Sequence, residues 1–229
     1  MRAQVLADRL VNMNVSEAVT VRRSIRAFLP TPVADETIRT LLEAAARAPS
    51  GGNVQPWRVW VVNGESMTQL LDYLDTKPPV EDSEYDVYPA GLWDPHRTAR
   101  FELGEQMYEL LGIPREDKEG RLRQFARNGR FFDAPAGFFI TLDRRFNQPQ
   151  WSDLGMFLQT FMLLATEAGL GTCAQEYWSS RHSAVMEFIG APSEEMLFCG
   201  MAIGHADPDA PVNSLVSDRL PLDTWATWV

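Results

Sequence analysis

Between residues 35 and 47, apolar side chains recur at Ile38, Leu41, Leu42 and Ala45. Spacings of three and four put them on one face of an amphipathic helix. Asp35 and Glu36 supply acid at the positive end of that helix, Pro49 stops it, and Gly51-Gly52-Asn53 predicts a loop. Trp57 to Val62 is rich in β-branched and aromatic residues and reads as a short buried strand. Met67, Leu70, Leu71 and Leu74 mark a second amphipathic helix. Further on, Gly137 to Leu142 and Met196 to Gly204 read as buried strands. Between them, Ser152 to Ala168 carries Leu154, Phe157, Leu158, Phe161, Met162, Leu163 and Leu164, which cover nearly the whole circumference of a helix. A helix of that kind is buried on most sides, and a subunit interface achieves this more naturally than one small domain.

The middle of the chain, roughly residues 76–130, breaks the pattern. Pro78-Pro79, Tyr88-Pro89 and Asp94-Pro95 interrupt it, and Tyr85, Tyr88 and Trp93 supply aromatics among the prolines. Helical spacing returns around Phe101, Glu105, Tyr108 and Leu111, and again from Glu116 to Asn128. A long stretch without periodicity inside a compact domain suits a lid or binding loop, and Tyr85, Tyr88 and Trp93 are its candidate substrate contacts. No internal repeat or low-complexity tract appears. Beyond Gly204 the chain turns polar and proline-rich, then closes on Trp225 to Val229, an apolar tail without an obvious partner in its own domain.

Composition narrows the class. A chain of 229 residues suits a single domain, and 45% hydrophobic with 23% charged residues excludes disorder. Twenty-one Lys and Arg against 31 Asp and Glu give a formal charge of −10, the wrong sign for nucleic acid or an anionic membrane surface. Cys173 and Cys199 are too few for a disulfide framework or structural zinc, and read as small hydrophobes. His96, His182 and His205 have no metal-ligand spacing, so no metal is expected. With no apolar run near 18 residues, and with Arg2, Asp8, Arg9 and Glu17 in the first 20 positions, the expectation is a cytoplasmic protein without a leader.

Against the acidic background, Arg22-Arg23-Ser24-Ile25-Arg26 stands out. Three guanidinium groups in five residues can hold a phosphomonoester or form a solvated surface patch. Pro49-Ser50-Gly51-Gly52-Asn53-Val54-Gln55-Pro56-Trp57 is either a plain helix-to-strand loop or a place where small residues and amides approach a planar heterocycle.

Together these motifs resemble the nitroreductase family of FMN-dependent oxidoreductases, whose pattern opens on R-R/H-S-x-R/K-x-F and continues to P-S-x-x-N-x-Q-P-W. Gly169-Leu170-Gly171-Thr172-Cys173-Ala174-Gln175 and Ser217-Asp218-Arg219-Leu220-Pro221 extend the likeness in the same order. The resemblance implies an α+β fold with a mixed sheet flanked by helices, in one domain over 1–229 with a lid-like insertion around 76–130. It implies an intertwined homodimer that exchanges its C-terminal tail. Arg22, Arg23, Ser24, Arg26 and Arg219 would grip FMN at its phosphate and ring edge. Pro49, Ser50 and Gly51 would line the ring from the partner subunit, and Asn53 would bond near it. Ala174, Gln175 and Glu176 would bring a strand-end N–H toward flavin N5. No catalytic side chain is expected, since the cofactor carries the chemistry. NADH or NADPH would donate electrons in ping-pong order, and the acceptor would be a nitroaromatic of the nitrobenzene or dinitroaromatic kind. Reductive dehalogenation, enone or quinone reduction, a non-catalytic flavin-binding role and a flavin-consuming enzyme remain as alternatives.

Overall fold

A computed structural model describes residues 13–229. The reading of Arg2, Asp8 and Arg9 as evidence against a leader lies outside them. Among the described residues, seven α-helices and four strands follow in the order α1 Val15–Val21, α2 Asp35–Ala45, β1 Arg58–Asn63, α3 Glu65–Asp75, α4 His96–Leu110 and α5 Lys118–Ala126, continuing through β2 Ala136–Asp143, α6 Gln148–Glu167, β3 Gly171–Gln175, α7 His182–Ile189 and β4 Glu195–Gly204.

The sheet runs β1-β2-β4-β3, with every neighbouring pair antiparallel. The expected mixed character enters only at its edge, where Ser24 forms a parallel bridge to Thr172 of β3. Both faces of β2 are buried. Phe138, Ile140 and Leu142 point into one apolar cluster with Ile38, Leu154 and Phe161, while Phe139 joins Leu70, Phe131 and Trp178 in the other. Alternation on a strand sends successive side chains to opposite faces, so a run with no polar break requires helices on both sides. α2 and α6 cover one face, and α3 and α7 the other.

Gly200 of β4 shows how tightly the second layer sits. A Cβ there would lie 2.3 Å from Trp178 Cδ1, so only glycine lets that indole lie flat on the sheet. β2 is entered through Phe131, Phe132 and Asp133 at φ of 50°, 55° and 65°, three side-chain-bearing residues in the left-handed region.

α6 is not buried all round. Asp153, Leu154, Phe157, Leu158, Phe161 and Ala165 face the core, but Ser152, Gly155, Met156 and Gln159 leave a strip exposed. α4 has no buried residue. Trp225 and Trp228, at 68% and 76% exposure, find no cover among the described residues. Among the described residues, no helix is long and apolar enough to cross a membrane.

Candidate active site

α1 ends at Arg22, whose backbone leaves the helical region at ψ 130°. The extended chain that follows docks on β3 through Ile25 N–H, which donates to Thr172 O at 2.9 Å. Ile25 takes the space a side chain on Gly171 would fill, since a Cβ there would meet Ile25 Cγ1 at 2.6 Å. The glycine before Thr172 is thus what lets the arginine-bearing segment lie against the strand.

A residue the sequence did not single out locks this arrangement. Asn213 accepts Arg26 N–H on Oδ1 at 2.9 Å and donates from Nδ2 to Ala27 O at 2.8 Å and Asp207 O at 2.9 Å. Its own carbonyl accepts from the Arg23 guanidinium at 3.3 Å. The C-terminal segment is thereby stapled to the arginine turn, and Arg219 comes to face Arg22. Arg219 is held by Ser217 Oγ at 2.6 Å and by the Ser217 and Asp218 carbonyls, both at 2.9 Å.

Arg22, Arg23, Ser24 and Arg219 line a cavity of about 520 Å³. None of Arg22, Arg23, Arg26 and Arg219 forms an ion pair with a carboxylate among the described residues. Burial and then the nearby Arg219 guanidinium hold the Arg22 pKa below its ordinary value. Like charges brought together without a counter-charge make a cradle for an anion supplied from outside.

A second cavity of about 600 Å³ adjoins it, sharing Arg26, Leu103 and Leu215. Its floor is the end of β3, with Cys173, Ala174, Gln175 and Glu176 on the wall. The Gln175 side chain is already spent, since Nε2 donates to Asn128 O at 2.9 Å and Oδ1 at 3.1 Å, and Oε1 accepts from Trp178 Nε1 at 3.4 Å. Cys173 sits in apolar surroundings that raise its thiol pKa to about 11, so it is a neutral wall and not a nucleophile at neutral pH. The arginine-lined cavity thus opens into an aromatic-walled compartment at the end of β3.

The Pro49–Asn53 loop lies apart from both compartments of its own chain. Ser50 Oγ accepts Gln55 N–H at 3.0 Å, and Gly51 N–H donates to the buried Asp153 carboxylate of α6 at 3.2 and 3.3 Å. Gly52 and Asn53 both take φ of 59°, which presents the loop outward. Asp153 was not legible as a site residue, because a lone acid in an apolar helix acquires meaning only once its partner is placed.

The three lid aromatics separate. Tyr85 turns inward, packs edge-on to Trp151 at 5.2 Å between ring centroids, and donates its hydroxyl to Phe198 O. Trp93 stands at 60% exposure with its edge toward His96 and lines neither compartment. Tyr88 alone of the three lines the larger cavity, beneath the Arg100 guanidinium at 4.4 Å from its ring centroid. No group of His, Cys, Asp and Glu able to hold a metal occurs among the described residues.

Comparison with known proteins agrees with this geometry. The chain is 36% identical to the nitrobenzene nitroreductase of Ectopseudomonas oleovorans, over 94% of this chain and 96% of that one. The crystal structure of an FMN- and NADPH-dependent nitroreductase NfnB from Sphigopyxis sp. strain HMH superposes with a TM-score of 0.89 at 42% identity, covering 95% of this chain and 99% of the other. The FMN-dependent nitroreductase NfnB of Mycobacterium smegmatis, solved in complex with NADPH, gives 0.85 at 28% identity over 99% of both chains. The family model described as Nitroreductase family matches residues 19–205, a span that opens just before the arginine turn and closes just after β4. On that match and on the identity to the nitrobenzene nitroreductase, the chain belongs to the nitroreductase family.

Proposed function

We propose that this protein is an FMN-dependent NAD(P)H oxidoreductase that reduces nitroaromatic compounds in two-electron steps, nitro to nitroso to hydroxylamine, in ping-pong order. The first step consumes two electrons and two protons and releases water; the second consumes two more of each. The observation that carries this reading is the uncompensated Arg22 and Arg219 pair opening into the cavity at the end of β3. FMN bound there would supply the two-electron chemistry that links the nicotinamide to the acceptor.

The chain's own residues bind and orient. Arg22, Arg23, Ser24, Arg26 and Arg219 neutralise and align the phosphate. Ala174, Gln175 and Glu176 supply the strand-end main chain along the ring, and the spent Gln175 amide keeps that end rigid. Tyr88, with Arg100 stacked on it, narrows the mouth over the planar acceptor. The segment 76–130 acts as the lid, tied at its start by Glu81 and Glu84 N–H groups to the Ser180 and Ser179 carbonyls.

The reading includes a homodimer. Pro49, Ser50, Gly51 and Asn53 are absent from their own chain's groove, so they serve the partner's. The exposed strip of α6 and the tail with Trp225 and Trp228 are the surfaces such a dimer buries. A cytoplasmic setting, where NADH and NADPH are supplied, completes it.

The test is direct. Purified protein should carry FMN or take it up, oxidise NADH or NADPH, and convert nitrobenzene to nitrosobenzene and then phenylhydroxylamine, resolved by chromatography. A protein that binds no FMN, or binds it without turning over any nitroaromatic, refutes the proposal.

A further inference from the structure

Among the described residues lining the larger cavity, one side chain holds a sealed polar atom without a partner. Gln124, on α5, is 6% exposed, and its Nε2 is sealed from solvent without a partner. No hydrogen bond to either end of its side-chain amide occurs among the described residues, yet Gln124 lines the cavity beside Tyr108, Phe125 and Ser179. The contrast with its neighbours is sharp. Asn128, one turn further along, donates to Phe125 O at 2.9 Å and receives the Gln175 amide, so both of its ends are used. The other sealed polar atoms without partners, on Tyr73, Thr172 and Arg181, belong to side chains outside this cavity.

Burying an amide without partners costs on the order of 1–3 kcal/mol. Native folds seldom keep such a group, and those they keep call for a reason. Nε2 itself is closed off, so in this rotamer the cavity reaches the oxygen end of the amide, and a ligand can pair only with the end the side chain presents. A half-turn about the terminal torsion of Gln124, a broad two-fold well, exchanges its nitrogen and oxygen ends at little cost and turns an N–H donor toward the cavity.

We propose that Gln124 is a substrate-binding residue that donates its amide N–H to an oxygen atom of the aromatic acceptor, an inference that rests on the oxidoreductase reading above. The amide is neutral, so it favours uncharged planar acceptors whose oxygen is exposed at one edge. An acceptor of the same shape without that oxygen leaves the amide unpaired and binds more weakly. The α4–α5 insertion thereby contributes a specificity contact, distinct from the groups on β3 that face the cofactor.

Gln124→Leu removes the amide at nearly constant volume, and Gln124→Met does so with an unbranched chain if leucine packs poorly. In FMN-loaded protein without acceptor, either substitution should raise Tm by about 2–8 °C, because it deletes a buried group that has no partner. The KM for nitrobenzene should rise about tenfold, while the bleaching of the flavin by NAD(P)H stays within about twofold of wild type. A purely structural glutamine would lower Tm and leave KM alone. Unchanged KM in both variants overturns the proposal whatever happens to stability, and so does a rise in KM matched by equal slowing of the NAD(P)H step. If wild-type protein binds nitrobenzene without reducing it, the oxidoreductase reading falls. The nitrobenzene-induced thermal shift then decides Gln124: its loss in the variants upholds the contact, and its persistence removes it.

Discussion

Replacing Asn213 by alanine cuts the staple between the two ends of the site. Three side-chain hydrogen bonds disappear, at 2.9, 2.8 and 2.9 Å, to Arg26 N–H, Ala27 O and Asp207 O. Each is worth about 1 kcal/mol net, and Asn213 is only half-buried, so water recovers part of the loss. The expected destabilisation is about 2–3 kcal/mol. For a protein of this size that lowers Tm by about 4–12 °C, read by differential scanning fluorimetry on cofactor-free protein. Because the staple also sets where Arg23, Arg26 and Arg219 stand, FMN affinity should fall about tenfold in a fluorescence-quenching titration. Asn213→Asp retains an acceptor for Arg26 N–H but loses both donated bonds, so its Tm should fall between wild type and alanine. If Asn213→Ala melts within 1–2 °C of wild type (roughly the shift expected for half a kcal/mol) and binds FMN equally well, the C-terminal segment is positioned by something other than this residue.

The remaining expectations follow from the same geometry. Arg22→Ala or Arg219→Ala should weaken FMN by about 1.5–3 kcal/mol, the scale of a lost charge-assisted hydrogen bond, and inorganic phosphate should stabilise the cofactor-free wild type more than either variant. Equal phosphate protection of all three proteins would show that the two guanidinium groups do not form the cradle. Tyr88→Ala should slow the nitroaromatic half-reaction by about 2- to 12-fold with little change in thermal stability. Tyr85→Ala should instead destabilise by about 3–5 kcal/mol, and the reverse pattern would exchange their roles. Burial raises the Cys173 thiol from 9.0 to about 11, so the unfolded chain releases this proton first and the folded state loses stability as pH climbs from about 9 to 11. Urea unfolding at pH 8 and pH 10.5 should show a smaller decline in Cys173→Ala than in wild type, and an identical decline would place the titration elsewhere.

Elements whose stability comes from an apolar face were legible in the chain. α3 is visible in Met67, Leu70 and Leu74 because those residues meet the core and the rest of the helix meets water. β2 is visible because both of its faces are buried. α1 was missed, since of its seven residues only Ala18 is buried and a solvated helix leaves no periodic trace. β3 was legible only as a motif. Gly171, Thr172 and Gln175 owe their place to close approach and pairing, neither of which hydrophobicity records. In the site itself, the arginine turn announced itself because three cations lie together in the sequence. Asn213, Asp153 and Gln124 could not, because a polar residue is informative only through the partner it has or lacks, and those partners lie far along the chain. Tyr85 and Tyr88 share a composition and a neighbourhood, and only the inward turn of one of them tells them apart.

The cradle for the anion is assembled from residues roughly 200 positions apart, Arg22 at one end and Arg219 at the other, with Asn213 between them and the turn. During synthesis the arginine turn emerges from the ribosome well before Arg219 and must wait until the segment from Asn213 to Arg219 has followed. On the proposed reading, capture of the phosphate by both guanidinium groups therefore follows synthesis of residue 219, and that order sets a quality check. A chain truncated before residue 213 can still collapse around β2 and α6, but it has no way to close the cradle. In a cell short of riboflavin-derived cofactor, a finished chain would stay in its least stable form, with the repulsion between Arg22 and Arg219 unrelieved and the protein most open to proteolysis.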